Sequence, residues 1–119
     1  MRYFDDEMQL VGIYSATSGA VNITDRAMKK KGPIPFGIYL IYPNEISNTN
    51  LLRRFLGDWG EYRVPLHPTS GTDTLNRSGF FLHGGKLPGS AGCIDIGAGD
   101  IGLFPKLTAH ESPILLIVK

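Results

Sequence analysis

Short apolar runs separated by glycine and proline dominate this chain, and most of them are too short for helices. Their content of β-branched and aromatic residues favours strands, and the glycine and proline between them favour turns. The pattern predicts strands over residues 8–15, 20–24, 36–42, 61–66, 80–83, 93–96 and 113–118. The last of these, an unbroken apolar run, is predicted to be a buried strand that closes the chain.

Two segments show helical rather than strand-like spacing. Over residues 44–59, apolar side chains recur at three- and four-residue intervals, and Gly60 follows as a helix terminator. A second, shorter helix is predicted over residues 100–107, although Pro105 falls inside it. Residues 67–79 are polar and are predicted to form a long connection.

The sum of these elements predicts a mainly β fold. It would be a β-rich sandwich or barrel with one or two short helices, or an α+β fold with a dominant sheet. The 15 glycines and 8 prolines agree with many short strands joined by turns. A length of 119 residues predicts a single domain over residues 1–119.

Composition narrows the function classes. The formal net charge of +1 gives no sign of a nucleic-acid partner, and no apolar run is long enough to span a membrane. The first seven residues hold one base, then acids, and no apolar segment. We therefore expect a chain made in the cytoplasm without a secretory signal peptide. One cysteine excludes an intramolecular disulfide, and the three histidines lack metal-ligand spacing, so neither a metal nor another cofactor is expected.

One stretch, residues 77–96, carries candidate chemistry. A predicted strand delivers His83 at its end, a glycine-rich loop follows, and Cys93 opens the next predicted strand, ten positions later. An imidazole beside a thiol lowers the thiol pKa and can later protonate a leaving group. Gly84 could present its own carbonyl to the imidazole, and Gly92 could turn backbone N–H groups toward an oxyanion. The residues alone leave a second interpretation open, in which Cys93 is a small buried hydrophobe and His83 a structural residue.

The order of these residues resembles a known enzyme signature. His83-Gly84, a glycine-containing spacer and Ser90-Ala91-Gly92-Cys93-Ile94 are similar to the active-site motif of the YkuD-type L,D-transpeptidases. The short spacer between Gly84 and Ser90 resembles that of one branch, the type VI secretion L,D-transpeptidase effectors of the DUF2778 group. Residues 14–19, and the Ile-Pro-x-Gly-x-Tyr element within residues 32–39, also resemble that branch.

The resemblance implies a β-rich catalytic domain that acts on peptidoglycan stem peptides. Cys93 would be the nucleophile that forms a thioester at the bond between diaminopimelate and D-alanine, and His83 its base and acid. The Gly84 carbonyl would orient His83, while Ser90, Gly92 and the Cys93 amide would line the oxyanion region. Carboxypeptidase, exchange and cross-linking activities all stay open. An antibacterial effector of this kind is expected to act in the periplasm of a target cell, with a periplasmic immunity protein as a partner.

The residue two places after the cysteine departs from the broader family. Many relatives carry arginine there, whereas this chain has Asp95. Either Asp95 alternates away from the pocket, or another cation takes over the placement of substrate carboxylates. Arg77 is the first candidate for this cation, and Lys86 and the lysines at 29–31 are further candidates.

Two other functions remain as alternatives. In cysteine peptidases of the NlpC/P60 or papain type the cysteine precedes the histidine, which is the reverse of the order here. A non-catalytic module that binds cell-wall peptides would have the same overall composition. It would, however, tolerate the loss of Cys93.

Overall fold

The computed structural model describes residues 1–20, 22–48, 62–84 and 90–119. Its strands are β1 (Arg2–Phe4), β2 (Leu10–Ile13), β3 (Thr17–Gly19), β4 (Gly37–Ile41), β5 (Ser47–Asn48), β6 (Tyr62–Pro68), β7 (Phe80–His83), β8 (Ser90–Asp95) and β9 (Ile114–Val118). One α-helix, α1 (Asp100–Thr108), and two 3-10 turns, Pro43–Glu45 and Gly97–Gly99, complete the described elements. The mainly β prediction is confirmed.

Seven of these strands form one sheet that curls into half a barrel. Its order is β3-β8-β7-β6-β4-β9, with β5 pairing β6 outside this path. The pair β7–β8 is parallel, and the other pairs of this sheet are antiparallel. Strands β1 and β2 form a separate antiparallel hairpin. The two strands predicted to carry His83 and Cys93 are therefore neighbours at the centre of the sheet.

The hydrophobic core lies between the inner face of this sheet and α1. Alternate residues of β4, β6, β7 and β8 point inward, as the two-residue period of a strand requires, and the helix covers them with Leu103, Phe104 and Leu107. Tyr62 of β6 stacks on Phe104 with ring centroids 5.5 Å apart. The opposite face of the sheet is its outer face.

The Ile-Pro-x-Gly-x-Tyr element builds part of this core. Tyr39 is fully buried, its hydroxyl donates to the Pro35 carbonyl at 2.8 Å, and its ring meets Phe80 edge-on at 5.7 Å. Burial raises the pKa of Tyr39, and the nearby cations Arg77 and Arg26 partly oppose this shift. Gly37 has a φ of 149°, and a Cβ there would lie 2.3 Å from the Thr72 side chain, so a side chain is excluded by contact.

Three boundaries predicted from sequence are wrong. Residues 20–24 do not form the predicted strand, and the strand in this region is β3, which ends at Gly19. The chain turns after β3, because the Ile23 N–H donates to the Ala20 carbonyl and Asn22 has a positive φ. The predicted helix over 44–59 begins instead as a 3-10 turn followed by β5, whose Ser47 pairs with Arg63; residues 49–59 lie outside the described residues. Strand β6 continues to Pro68, since β4 supplies pairing partners for its end.

The closing strand is in place but is not buried as predicted. Strand β9 is an edge strand, and only one of its faces meets the core. Ile114, Leu116 and Val118 pack inward, whereas Leu115 and Ile117 are exposed. Helix α1 matches its prediction and accommodates Pro105 at an exposed position.

Candidate active site

The centre of the sheet brings His83 and Cys93 onto adjacent strands. Strands β7 and β8 run parallel, with Leu82 opposite Ile94 and His83 opposite Asp95. The Ile96 N–H also donates to the His83 carbonyl at 2.9 Å, which extends the ladder by one bond. Directly opposed residues of neighbouring strands share a face, and so do residues two apart on one strand. His83, Asp95 and Cys93 therefore lie together on the outer face, while Leu82 and Ile94 point into the core.

All three of these polar or reactive residues are buried. Their exposed fractions are 2% for His83, 4% for Asp95 and 5% for Cys93. Cys93 is not a member of the hydrophobic core cluster, although its neighbour Ile94 and the next core residue Ile96 both are. The alternation of β8 places the Cys93 side chain on the face opposite to Ile94 and Ile96.

The His83 imidazole is held in one tautomer. Its Nδ1 lies 2.6 Å from the carbonyl oxygen of Gly84, in a buried contact. A carbonyl can only accept, so Nδ1 carries the proton and, in the neutral ring, Nε2 is the basic nitrogen. The Gly84 carbonyl thus occupies the orienting position that the sequence analysis expected of it.

Strand β8, which carries Cys93, is tied to the loop before β4 through Ser18. The Ser18 hydroxyl donates to the Cys93 carbonyl at 2.5 Å and accepts from the Ile34 N–H at 2.8 Å. Gly19 follows with a φ of 85°, and a Cβ there would lie 2.6 Å from the Pro33 nitrogen. The sequence analysis treated this Ser-Gly pair only as part of the family-like segment 14–19, and its contact with the backbone of Cys93 was missed.

Strand β8 is irregular where the oxyanion region was predicted. Gly19 pairs with Ser90 and Ser18 with Ile94, so three additional residues of β8 bulge between two consecutive residues of β3. Gly92 and Cys93 lie in this bulge. Bulges of this kind occur beside active sites, where they redirect backbone groups away from the regular ladder. The backbone of Ser90 belongs to β8 as well, at the far side of the bulge.

Asp95 does not alternate away from the site. It lies opposite His83, on the face that also carries Cys93, and its carboxylate accepts the Gly97 N–H at 2.7 Å. That hydrogen bond holds the start of the 3-10 turn Gly97–Gly99, which leads into α1. Asp95 therefore shares a face with His83 and Cys93 and does not alternate away from them.

Arg77 lies among backbone carbonyls of the loop before β4 rather than beside His83 and Cys93. Its buried guanidinium donates to the carbonyls of Arg26, Pro33 and Gly32, at 2.5, 2.6 and 2.9 Å. It also lies over the Phe80 ring, which belongs to the core face. These contacts assign the side chain to the loop before β4 and give no support to the predicted substrate contact.

Of the other predicted cations, the lysines at 29–31 are exposed turn residues of the same loop, and Lys86 lies outside the described residues. Among the residues that the structure describes, no group of three histidine, cysteine or acidic side chains could hold a metal ion. Within those same residues, no helix combines the length and apolarity needed to cross a bilayer.

Sequence reasoning also missed a cation on the outer face. Arg63 of β6 lies directly opposite His83, and its guanidinium carbon is 5.5 Å from the centroid of the Phe81 ring. The alternation in β6, with Val64 and Leu66 pointing inward, is a signal that Arg63 faces outward. The sequence could not show that its neighbour would be His83.

Comparison with known proteins gives one family. A family model described as the Tlde1 domain matches residues 11–103 of this chain, which is more than half of its length. The match begins in β2, ends within α1 and includes the whole of β6, β7 and β8. No curated protein matches the chain.

Proposed function

This chain belongs to the Tlde1 domain family, a family of type VI secretion effector domains, and from that premise we propose a specific cell-wall activity. The chain is a cysteine enzyme that attacks the bond between diaminopimelate and D-alanine in peptidoglycan stem peptides. The observation that carries the proposal is the shared outer face of β7 and β8, which holds both Cys93 and an imidazole whose Nδ1 is hydrogen-bonded to the Gly84 carbonyl.

The first half of the proposed reaction forms a thioester. Nε2 of His83 accepts the thiol proton, and the Cys93 sulfur attacks the carbonyl carbon of the diaminopimelate residue. The backbone amides of Gly92 and Cys93, in the β8 bulge, stabilise the oxyanion of the tetrahedral intermediate. The intermediate collapses as the carbon–nitrogen bond breaks, and the imidazolium returns its proton to the amine of the departing D-alanine.

The second half releases the enzyme. His83 deprotonates a water molecule, which attacks the thioester carbonyl, and the thiol leaves with the proton held by the imidazole. This route is a carboxypeptidase cycle. If the amine of a free D-amino acid or of a neighbouring stem peptide attacks in place of water, the product is an exchanged or cross-linked peptide. The same two side chains serve all three outcomes.

Product analysis tests this proposal. The purified chain is incubated with a disaccharide tetrapeptide that contains diaminopimelate, with and without an excess of D-methionine, and the products are identified by mass spectrometry. We expect loss of the terminal D-alanine without the added amino acid, and its replacement by D-methionine with it. The matched variants are Cys93→Ala, which lacks a nucleophile, and His83→Gln, which keeps a side chain of similar size. Both should be inactive at near-normal stability.

The alternatives give different products. A peptidase of the NlpC/P60 type would cut elsewhere in the stem peptide and give a different fragment mass. A module that only binds cell-wall peptide would retain the intact tetrapeptide, and its affinity would survive Cys93→Ala. Either result would replace the proposed reaction.

A further inference from the structure

The proposed reaction brings negative charge to a face that already holds an acid. A tetrapeptide stem carries the α-carboxylate of its terminal D-alanine and the side-chain carboxylate of diaminopimelate. Asp95, two residues after Cys93 and on the same face, adds a third carboxylate there. A site that accepts these carboxylates close to Cys93 therefore needs a cation from another strand.

The register of the sheet supplies one. A single row crosses the outer face from β6 to β3, and it consists of Arg63, His83, Asp95 and Thr17 in neighbouring strands. Neighbouring strands lie about 4.8 Å apart, so the Arg63 backbone is one strand from His83 and two from the nucleophile strand. An arginine side chain spans a distance of this order.

The position of the guanidinium agrees with a binding role. Arg63 is only partly buried, and its guanidinium lies over Phe81, which is also on the outer face and two residues before His83. Stacking on an aromatic ring orients the planar fork of arginine, and that fork matches the two oxygens of a carboxylate. Among the residues that the structure describes, Arg77 and Arg26 are also buried or half-buried, and both donate to carbonyls of the loop before β4.

We propose that Arg63 binds a carboxylate of the stem peptide and so offsets the negative charge that Asp95 adds to this face. This inference rests on the proposed function, since it concerns the substrate of the same site. The carboxylate belongs either to the terminal D-alanine or to the side chain of diaminopimelate. Both present the same chemistry to a guanidinium.

Steady-state kinetics of Arg63→Gln test the inference against three substrates. These are the free tetrapeptide, its analogue with an amidated D-alanine carboxyl, and its analogue with an amidated diaminopimelate side-chain carboxyl. Loss of a charge-assisted hydrogen-bonded pair lowers kcat/KM for the free tetrapeptide by about 10- to 100-fold. For the analogue that lacks the bound carboxylate, parent and variant should have nearly equal kcat/KM, and this identifies the carboxylate. Arg63→Lys keeps the charge without the planar fork, and its kcat/KM for the free tetrapeptide should lie between those of the parent and Arg63→Gln.

Two controls separate a substrate contact from an effect on the dyad or the fold. Arg2→Gln changes an exposed arginine on the separate hairpin and should leave kcat/KM unchanged. The rate at which iodoacetamide, a neutral reagent, alkylates Cys93 should change by no more than about twofold in Arg63→Gln, as expected for a screened charge about 10 Å away.

Three results would overturn the assignment of Arg63. One is that Arg63→Gln lowers kcat/KM equally for all three substrates, and another is that it lowers it for none. The third is that alkylation of Cys93 slows by the same factor as cleavage, which would make Arg63 a residue that acts on the dyad. If the parent protein cleaves none of these peptides, the proposed function itself fails, and the alkylation assay still reports on the dyad.

Discussion

Replacement of Arg77 by methionine should destabilise the fold strongly. The change keeps most of the apolar stem but removes the guanidinium, which donates to the carbonyls of Arg26, Gly32 and Pro33. Arg77 is 8% exposed, and Gly32 and Pro33 are buried as well. Water therefore cannot replace all of the lost hydrogen bonds without a rearrangement of the loop that leads into β4.

The magnitude follows from the number and kind of bonds. A hydrogen bond to a charged group contributes about 1.5–3 kcal/mol, and such contributions do not add fully when the bonds share one donor. Burying the Arg77 charge is itself unfavourable, so removing that charge recovers part of the lost stability. We expect a decrease of about 3–5 kcal/mol in the free energy of unfolding, a large share of the roughly 5–15 kcal/mol available to a domain.

Urea denaturation followed by circular dichroism measures this change. The slope of the unfolding free energy against urea should stay constant while the midpoint falls, and Arg77→Lys should lie between parent and methionine variant. Arg2→Met, at an exposed position of β1, is the matched control and should cost less than about 0.5 kcal/mol. A decrease below about 1 kcal/mol in Arg77→Met, together with a raised KM, would refute the reasoning and return Arg77 to the substrate site.

Two further substitutions test single hydrogen bonds, one to the backbone of Cys93 and one in the core. Ser18→Ala removes the hydroxyl that joins the Cys93 carbonyl to the Ile34 N–H; kcat should fall about tenfold with little change in KM, and Ser18→Thr should restore it. Unchanged kcat in Ser18→Ala would show that this contact does not position the nucleophile. Tyr39→Phe removes the buried hydrogen bond to Pro35 and should cost about 1–2 kcal/mol at pH 7. Because burial raises the pKa of Tyr39 above 10.0, the folded state keeps a proton that the unfolded state loses. The stability that this provides is fully present below pH 10 and is lost as the pH rises through the folded pKa. Thermal unfolding between pH 9 and 11 should therefore show a smaller decline for Tyr39→Phe than for the parent, and parallel declines would contradict this.

Local patterns were sufficient to predict the strands that carry His83 and Cys93. The apolar runs before His83 and after Cys93 predicted strand structure, and the structure has β7 and β8 there. Their short glycine-rich connection indicated that they would be neighbours. Even so, nothing local decided that Arg63 and Thr17 would join the same row, because register between distant strands depends on the whole sheet.

The wrong predictions also concern features that depend on tertiary contacts. Residues 113–118 form an unbroken apolar run, which predicts burial on both faces, yet β9 became an edge strand with Leu115 and Ile117 exposed. From the sequence, Arg77 was a candidate for the placement of substrate carboxylates, and only the folded loop reveals the three carbonyls to which it donates. The sequence left open whether Asp95 alternates away from the site, and the strand register places it opposite His83.

The central claim, a covalent intermediate on Cys93, can be tested by intact-protein mass spectrometry. The chain has one cysteine, so any thioester can be assigned to it without ambiguity. The protein is mixed with the disaccharide tetrapeptide, quenched in acid within seconds and weighed. We predict an adduct equal to the muropeptide minus D-alanine on the parent protein, and none on Cys93→Ala. Release of D-alanine by Cys93→Ala at the parent rate, or an adduct on that variant, would contradict the account.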